Sequence, residues 1–150
     1  MPNSIIIPIA IDHEPIVADK IAAARRNLAP GGRITLLTVL EQISGFAAEF
    51  VTVKPENHLT ARVMERLKAV AGDAPDIDCM VVTGKPGLRI TEVAREIGAD
   101  LIIVGAHRPN AVDYFLGSTA ARVARRASCS VYIFRVDDTV TTATSDSSQG

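Results

Sequence analysis

Leu101-Ile102-Ile103-Val104-Gly105, then AHRPNAVDYFL over 106–116, then GSTAARVARRA over 117–127, then SVYIF over 130–134, is the stretch that decides the fold. A bare aliphatic run ends on a glycine. A loop of basic and turn-forming residues follows. Gly117-Ser118-Thr119 then opens a helix, and a second β-rich run closes the unit. Strand, loop, helix, strand is the grammar of a parallel sheet. A glycine at a strand end and a Gly-Ser-Thr helix start also form an anion cradle. Glycines admit close backbone approach, and a helix N-terminus offers free N–H donors and partial positive charge.

Working outward, the same grammar repeats. SIIIPIAI over 4–11, RITLLTVL over 33–40 and IDCMVVT over 77–83 are nearly continuous aliphatic or β-branched runs. Such runs suit strands buried on both faces. Pro8 removes a ladder donor and predicts interrupted pairing near the end of the first strand. Between the strands lie periods of 3.6. Val17, Ile21, Ala24 and Leu28 form one apolar face; Leu59, Val63, Leu67 and Val70 another; Ile90, Val93, Ala94 and Ile97 a third; Ala120, Val123, Ala124 and Ala127 a fourth. Pro30-Gly31-Gly32, Gly72 and Gly98 stop the first three helices. Arg122, Arg125 and Arg126 read as the solvated face of the fourth.

The expected fold is α/β: a doubly wound, Rossmann-like parallel sheet of five strands in the order 3-2-1-4-5, with helices on both faces. Residues 1–136 form one domain. Glu41–Pro55 reads as a long connection or lid, and 137–150, which has no periodicity and few large apolar residues, as a disordered tail. Ligands of such sheets bind outside the carboxyl ends of the strands, at the switch point in strand order. Here those ends are Ala10 to His13, Thr38 to Glu41, Gly84 to Gly87, and Gly105 onward.

Composition narrows the function. The 150 residues carry a net charge of −1, so no basic field points to nucleic acid or an anionic membrane. No apolar run approaches the ~18–20 residues of a spanning helix, and no leader precedes the first strand, so the expected location is cytoplasmic. Cys79 and Cys129 lack metal or redox spacing and read as buried thiols. His13, His58 and His107 show no metal-ligand spacing. No G-x-x-x-x-G-K-[ST] occurs, and the turn after strand one has no glycine, which excludes a P-loop and a dinucleotide fingerprint. Ala10 and Thr83 stand where a phospho-receiver domain needs acids. Ser44-Gly45 is no nucleophile elbow, and no residue is an evident catalytic base. Any ATP hydrolysis would be weak.

The stretch VGAHRPNAVDYFLGSTAARVARRASCSVYIFR resembles the C-terminal part of the universal stress protein (UspA) family. The Ile-Pro-Ile opening and the Gly84-Lys85-Pro86 turn also fit, so the resemblance spans about Ser4 to Arg135. In particular it resembles the ATP-binding-type subfamily whose loop reads S-H-R-P. ATP-binding members carry G-x2-G-x9-G-[ST]. Here Gly105 and Gly117-Ser118 match, Arg108 replaces the middle glycine, and the second spacer has eight residues. The family usually has an Asp where this chain has Ala10. Asp12 either substitutes for it or caps the first helix.

The resemblance implies an adenine-nucleotide site drawn from Pro8, Ala10, Asp12, Val39, Gly84, Gly105, His107, Arg108, Gly117, Ser118 and Thr119. Val39 would offer its backbone to adenine. Arg108 would hold phosphate through its guanidinium, or pair with Asp113 or solvent. His107 would touch phosphate or ribose, or make a structural hydrogen bond. Ser118 would cap its helix and, with an anion present, face phosphate. Tyr114, Phe115 and Leu116 would anchor the loop to the core.

The implied function is a stress-response regulatory module that binds ATP, with or without Mg²⁺, or another adenine nucleotide. The alternatives are a non-binding dimeric interaction module of the same fold, or a weak ATPase. Strand 130–136 is apolar on both faces yet belongs at the sheet edge. Together with the resemblance, this implies a homodimer paired through that strand.

Overall fold

The computed structural model describes residues 1–10, 14–41, 55–106 and 116–135. Five strands alternate with helices: β1 Ser4–Pro8, α1 Glu14–Asn27, β2 Arg33–Leu40, α2 Pro55–Ala71, β3 Ile77–Thr83, α3 Pro86–Ile97, β4 Leu101–Ala106, α4 Ser118–Arg126 and β5 Ser130–Arg135. The strands form one parallel sheet in the order β3-β2-β1-β4-β5, as expected. Three expectations lie outside the described residues: the lid at 42–54, the loop at 107–115 and the tail at 137–150.

Winding direction sets the two faces. The chain steps from β1 to β2 to β3 on one side, then crosses to β4 and β5 on the other. Right-handed crossovers therefore put α1 and α2 on one face and α3 and α4 on the opposite one. The cores agree. Ile5, Ile7, Ile34, Leu36 and Ile103 pack with Val17, Ala24, Val63 and Leu67. Ile6, Leu37, Ile102 and Val104 pack with Ile90, Val93, Ala94, Ala120 and Val123. The odd and even residues of each central strand thus serve different cores, which is why β1 and β4 read as unbroken aliphatic runs. Each fully buried Ile or Val contributes about 1.5–3 kcal/mol.

Four side chains depart from the periodic reading. Leu59 is 43% exposed, Ile97 36% and Leu116 41%. Leu59 and Ile97 sit at helix ends, where the stripe runs past the edge of the sheet. Leu116 does not anchor the loop to the core. Ala124 faces solvent. Arg122 is exposed at its head, but its stem lies over Gly87, where an added Cβ would meet Arg122 Cδ at 2.7 Å. The glycine lets α3 and α4 approach closely. Element ends also shift. β4 runs through Gly105 to Ala106, α3 begins at Pro86, and β1 ends at Pro8 instead of Ile11.

Pro8 is responsible for that last difference, and it matters for function. Ile9 N–H donates to the Leu37 carbonyl at 2.7 Å, so Ile9 faces β2. By alternation the N–H that Pro8 lacks would face β4. β1 pairs with β4 only through Ile5 and Ile6, whereas it pairs with β2 along its whole length. The ladder therefore opens between β1 and β4 on the carboxyl side. That is the switch point of this strand order.

Candidate functional site

The carboxyl ends of β1, β2, β3 and β4 carry the residues expected to form a site. Pro8 ends β1, and Ala10 lies beyond it, exposed. Asp12, His107 and Arg108 lie outside the described residues. Val39 is in β2, opposite Val82 of β3. Leu37 and Val39 share one direction, so Val39 turns its N–H and C=O toward β1. The Ile9 carbonyl that would continue that ladder instead accepts the Thr38 hydroxyl at 2.9 Å. No described residue pairs with the Val39 backbone on this side.

Gly84 follows β3 with φ of 135°, a conformation that only glycine holds without strain. Its N–H donates to Leu40 at 2.9 Å, which ties the turn to the end of β2. Arg89 lies across it: Nε donates to the Thr83 carbonyl at 3.2 Å and Nη1 to Glu92 at 3.0 Å. Gly84 is thus required by the fold itself.

Gly117 is a different kind of glycine. It is the N-cap of α4, with φ of −59°, and a Cβ added there would meet nothing within 4 Å. Glycine is a favoured N-cap residue, but no described neighbour requires its Cβ to be missing. No side chain caps the helix, and Ser118 and Thr119 are exposed in its first turn. The serine is therefore the first residue of the helix and not its cap. The open N–H groups and the helix dipole remain available to an anion.

Gly105 has a third role. It lies on the same side of β4 as Leu101 and Ile103, facing α1. A Cβ there would sit 3.3 Å from both Cε and Nζ of Lys20. Lys20 is 7% exposed, and burial pushes its pKa down. Sequence reasoning passed over this lysine, although it stands on the buried stripe of α1, three residues after Val17 and four before Ala24. A cation at a stripe position was the available signal.

Outside this region, Cys79 and Cys129 are free and partly buried against opposite cores. Burial pushes both thiols up, which suppresses thiolate chemistry. Among the described residues no cluster of His, Cys, Asp or Glu could hold a metal ion. No described helix is long and apolar enough to cross a membrane.

A doubly wound sheet opened at its switch point is the arrangement in which open α/β sheets receive ligands. The family follows from comparison: the model of the universal stress protein family matches residues 2–135, and the chain belongs to that family. Universal stress protein G of Shigella flexneri is 31% identical over 90% of this chain and 100% of that protein. Universal stress protein A homolog 2 of Coxiella burnetii is 28% identical over 89% of this chain and 95% of that protein. Among solved structures, hypothetical protein MJ0577 superimposes with a TM-score of 0.73 at 22% identity, covering 91% of this chain and 97% of that one, which shows a shared fold. A universal stress protein solved in complex with cAMP has a TM-score of 0.54 at 25% identity, covering 88% of this chain and 96% of that one.

Proposed function

We propose that this chain binds an adenine nucleotide, ATP or a relative of it, at the carboxyl ends of β1 and β4. It acts there as a regulatory binding module of the stress response. The observation that carries this reading is the start of α4 at Gly117, where no side-chain hydrogen bond caps the helix and an added Cβ would meet no described atom within 4 Å. The phosphates would lie against the N–H groups of Ser118 and Thr119, and the adenine edge against the Val39 backbone. The relative in complex with cAMP supports the ligand class. The loop resemblance to the ATP-binding S-H-R-P type supports ATP in particular, with Arg108 supplying a side-chain contact in place of the middle glycine. Mg²⁺ would arrive on the nucleotide's own phosphates, because the described residues form no ligand cluster for it. Isothermal calorimetry with ATP, with and without Mg²⁺, tests the reading. Saturable heat at millimolar ATP or below is expected; its absence refutes nucleotide binding and favours the alternative of a non-binding interaction module, to which Ala10 and the shortened loop would belong.

The same reading makes the protein a homodimer through β5. The two sheet edges differ. The β3 edge carries Asp78, paired with Arg33. The β5 edge presents Tyr132, 37% exposed and stacked on Phe134 at 6.3 Å between ring centroids. A bare apolar edge is covered when its twin pairs with it. Sedimentation at micromolar concentration should give twice the mass of the 16.0 kDa chain, and a monomer refutes the assignment.

A further inference from the structure

Among the described residues, Lys20 is the only charged side chain in the buried class; Thr35, Thr38 and Thr91 are the other buried polar residues. Thr38 and Thr91 donate to backbone carbonyls. Lys20 forms no hydrogen bond or ion pair with any described residue. Its depressed pKa has burial as its physical cause, with no described anion drawing it back up. A cation held this way costs stability, and a methionine would fill the same slot without that cost.

The position of the ammonium is specific. It lies against Gly105, where an added Cβ would come 3.3 Å from both Nζ and Cε, a tight contact. The ammonium thus sits at the carboxyl end of β4, beside the gap that Pro8 opens. This is where an open α/β sheet receives its ligand. A largely buried cation with no partner among the described residues leaves room for an arriving anion to pair with it through charge-assisted hydrogen bonds.

We propose that Lys20 contacts a phosphate group of the bound ligand, and so makes the site prefer a phosphorylated ligand to its neutral nucleoside. The inference rests on the nucleotide reading above. It adds a residue outside the glycine loop, on the helix that packs on the opposite face of the sheet from α4. The lysine's three rotatable donors suit a phosphate approached as a point charge.

The test compares the full-length protein with its Lys20→Met variant, using ATP, adenosine and inorganic tripolyphosphate, by thermal shift and calorimetry. Without ligand, Lys20→Met should melt higher than the wild type. Its ATP affinity should fall roughly tenfold or more, with adenosine affinity unchanged. Tripolyphosphate should stabilise the wild type and not the variant. A variant that melts lower or does not fold overturns the proposal, since the lysine then serves the fold. Equal losses for ATP and adenosine, or no loss of ATP, also overturn it. If the wild type binds neither ATP nor adenosine, the nucleotide reading fails by itself; tripolyphosphate then decides for or against an anion site at Lys20.

Discussion

The two ends of the sheet are built differently. At the amino end, charges are paired and backbone groups are taken up. Asp100 Oδ2 accepts the N–H groups of Asn3 and Ser4 at 2.8 and 3.1 Å, which pins β1 to β4. Arg33 grips Asp78 with two bonds of 2.7 Å, and Arg25 reaches Asp76 at 2.6 Å. At the carboxyl end Arg89 is tied down over Gly84, but otherwise the described residues leave groups open. Among them the Val39 backbone lacks its ladder partner, α4 starts without a side-chain cap, and the buried Lys20 has no described partner. One sheet thus has a largely satisfied end, with Asp76 Oδ1 its one buried unpartnered side-chain atom among the described residues, and a less satisfied end, where the proposed ligand would sit.

This contrast is open to direct attack. The largest expected effect is at Gly84. Alanine there must adopt φ of 135° and meets Arg89 Cγ at 2.5 Å, so Gly84→Ala should destabilise by about 2 kcal/mol in urea unfolding. Gly117→Val, at the same end, should cost no more than about 1 kcal/mol through the poorer N-cap while weakening ATP roughly tenfold or more, about 1.4 kcal/mol, in calorimetry. If it unfolds the protein instead, Gly117 belongs to the satisfied part of the fold. At the amino end, Asp100→Ala should destabilise by about 1 kcal/mol and leave ATP affinity alone.

Alkaline pH probes the less satisfied end without a ligand. The pKa of Lys20 is lowered in the folded state from the ordinary 10.5. Between the lowered value and 10.5 the unfolded chain binds more protons, so stability gains as pH rises through that window. The advantage of Lys20→Met over the wild type should therefore shrink on the alkaline side, as read from paired urea titrations. The smallest effect is expected at Asp78. Hydrogen bonding from Arg33 holds its carboxyl below the usual range, so its contribution is present above the ordinary aspartate value and lost as pH falls through the lowered one. Both side chains are about half exposed, at 53% and 52%, so solvent screens the pair. Asp78→Asn should move Tm by no more than about 1–2 °C, and less in high salt.

The alternation of aliphatic runs with 3.6-residue stripes was enough to place all five strands and the four described helices, and the family resemblance singled out the order 3-2-1-4-5 among doubly wound sheets. A strand buried on both faces and a helix buried on one leave distinct periods, and handed crossovers leave few ways to join them. The ends were less legible. Leu59 and Ile97 continue a stripe in sequence but overrun the sheet in space. An interruption of pairing near Pro8 was readable, because a missing N–H is a local fact, but the end of β1 at Pro8 instead of Ile11 was not. Which neighbour that N–H would have faced is a fact about the ladder.

The site divides along the same line. By itself, the sequence determined the family pattern and the candidate glycines at 84, 105 and 117, since glycine is a local backbone property. Only the tertiary structure decided what each glycine is for. Gly84 holds a turn at positive φ, Gly117 caps a helix without a side chain, and Gly105 lies against a lysine eighty-five positions earlier in the chain. The physical reason is that a missing Cβ acquires meaning from what lies beside it, and the neighbour here comes from a helix packed on the sheet.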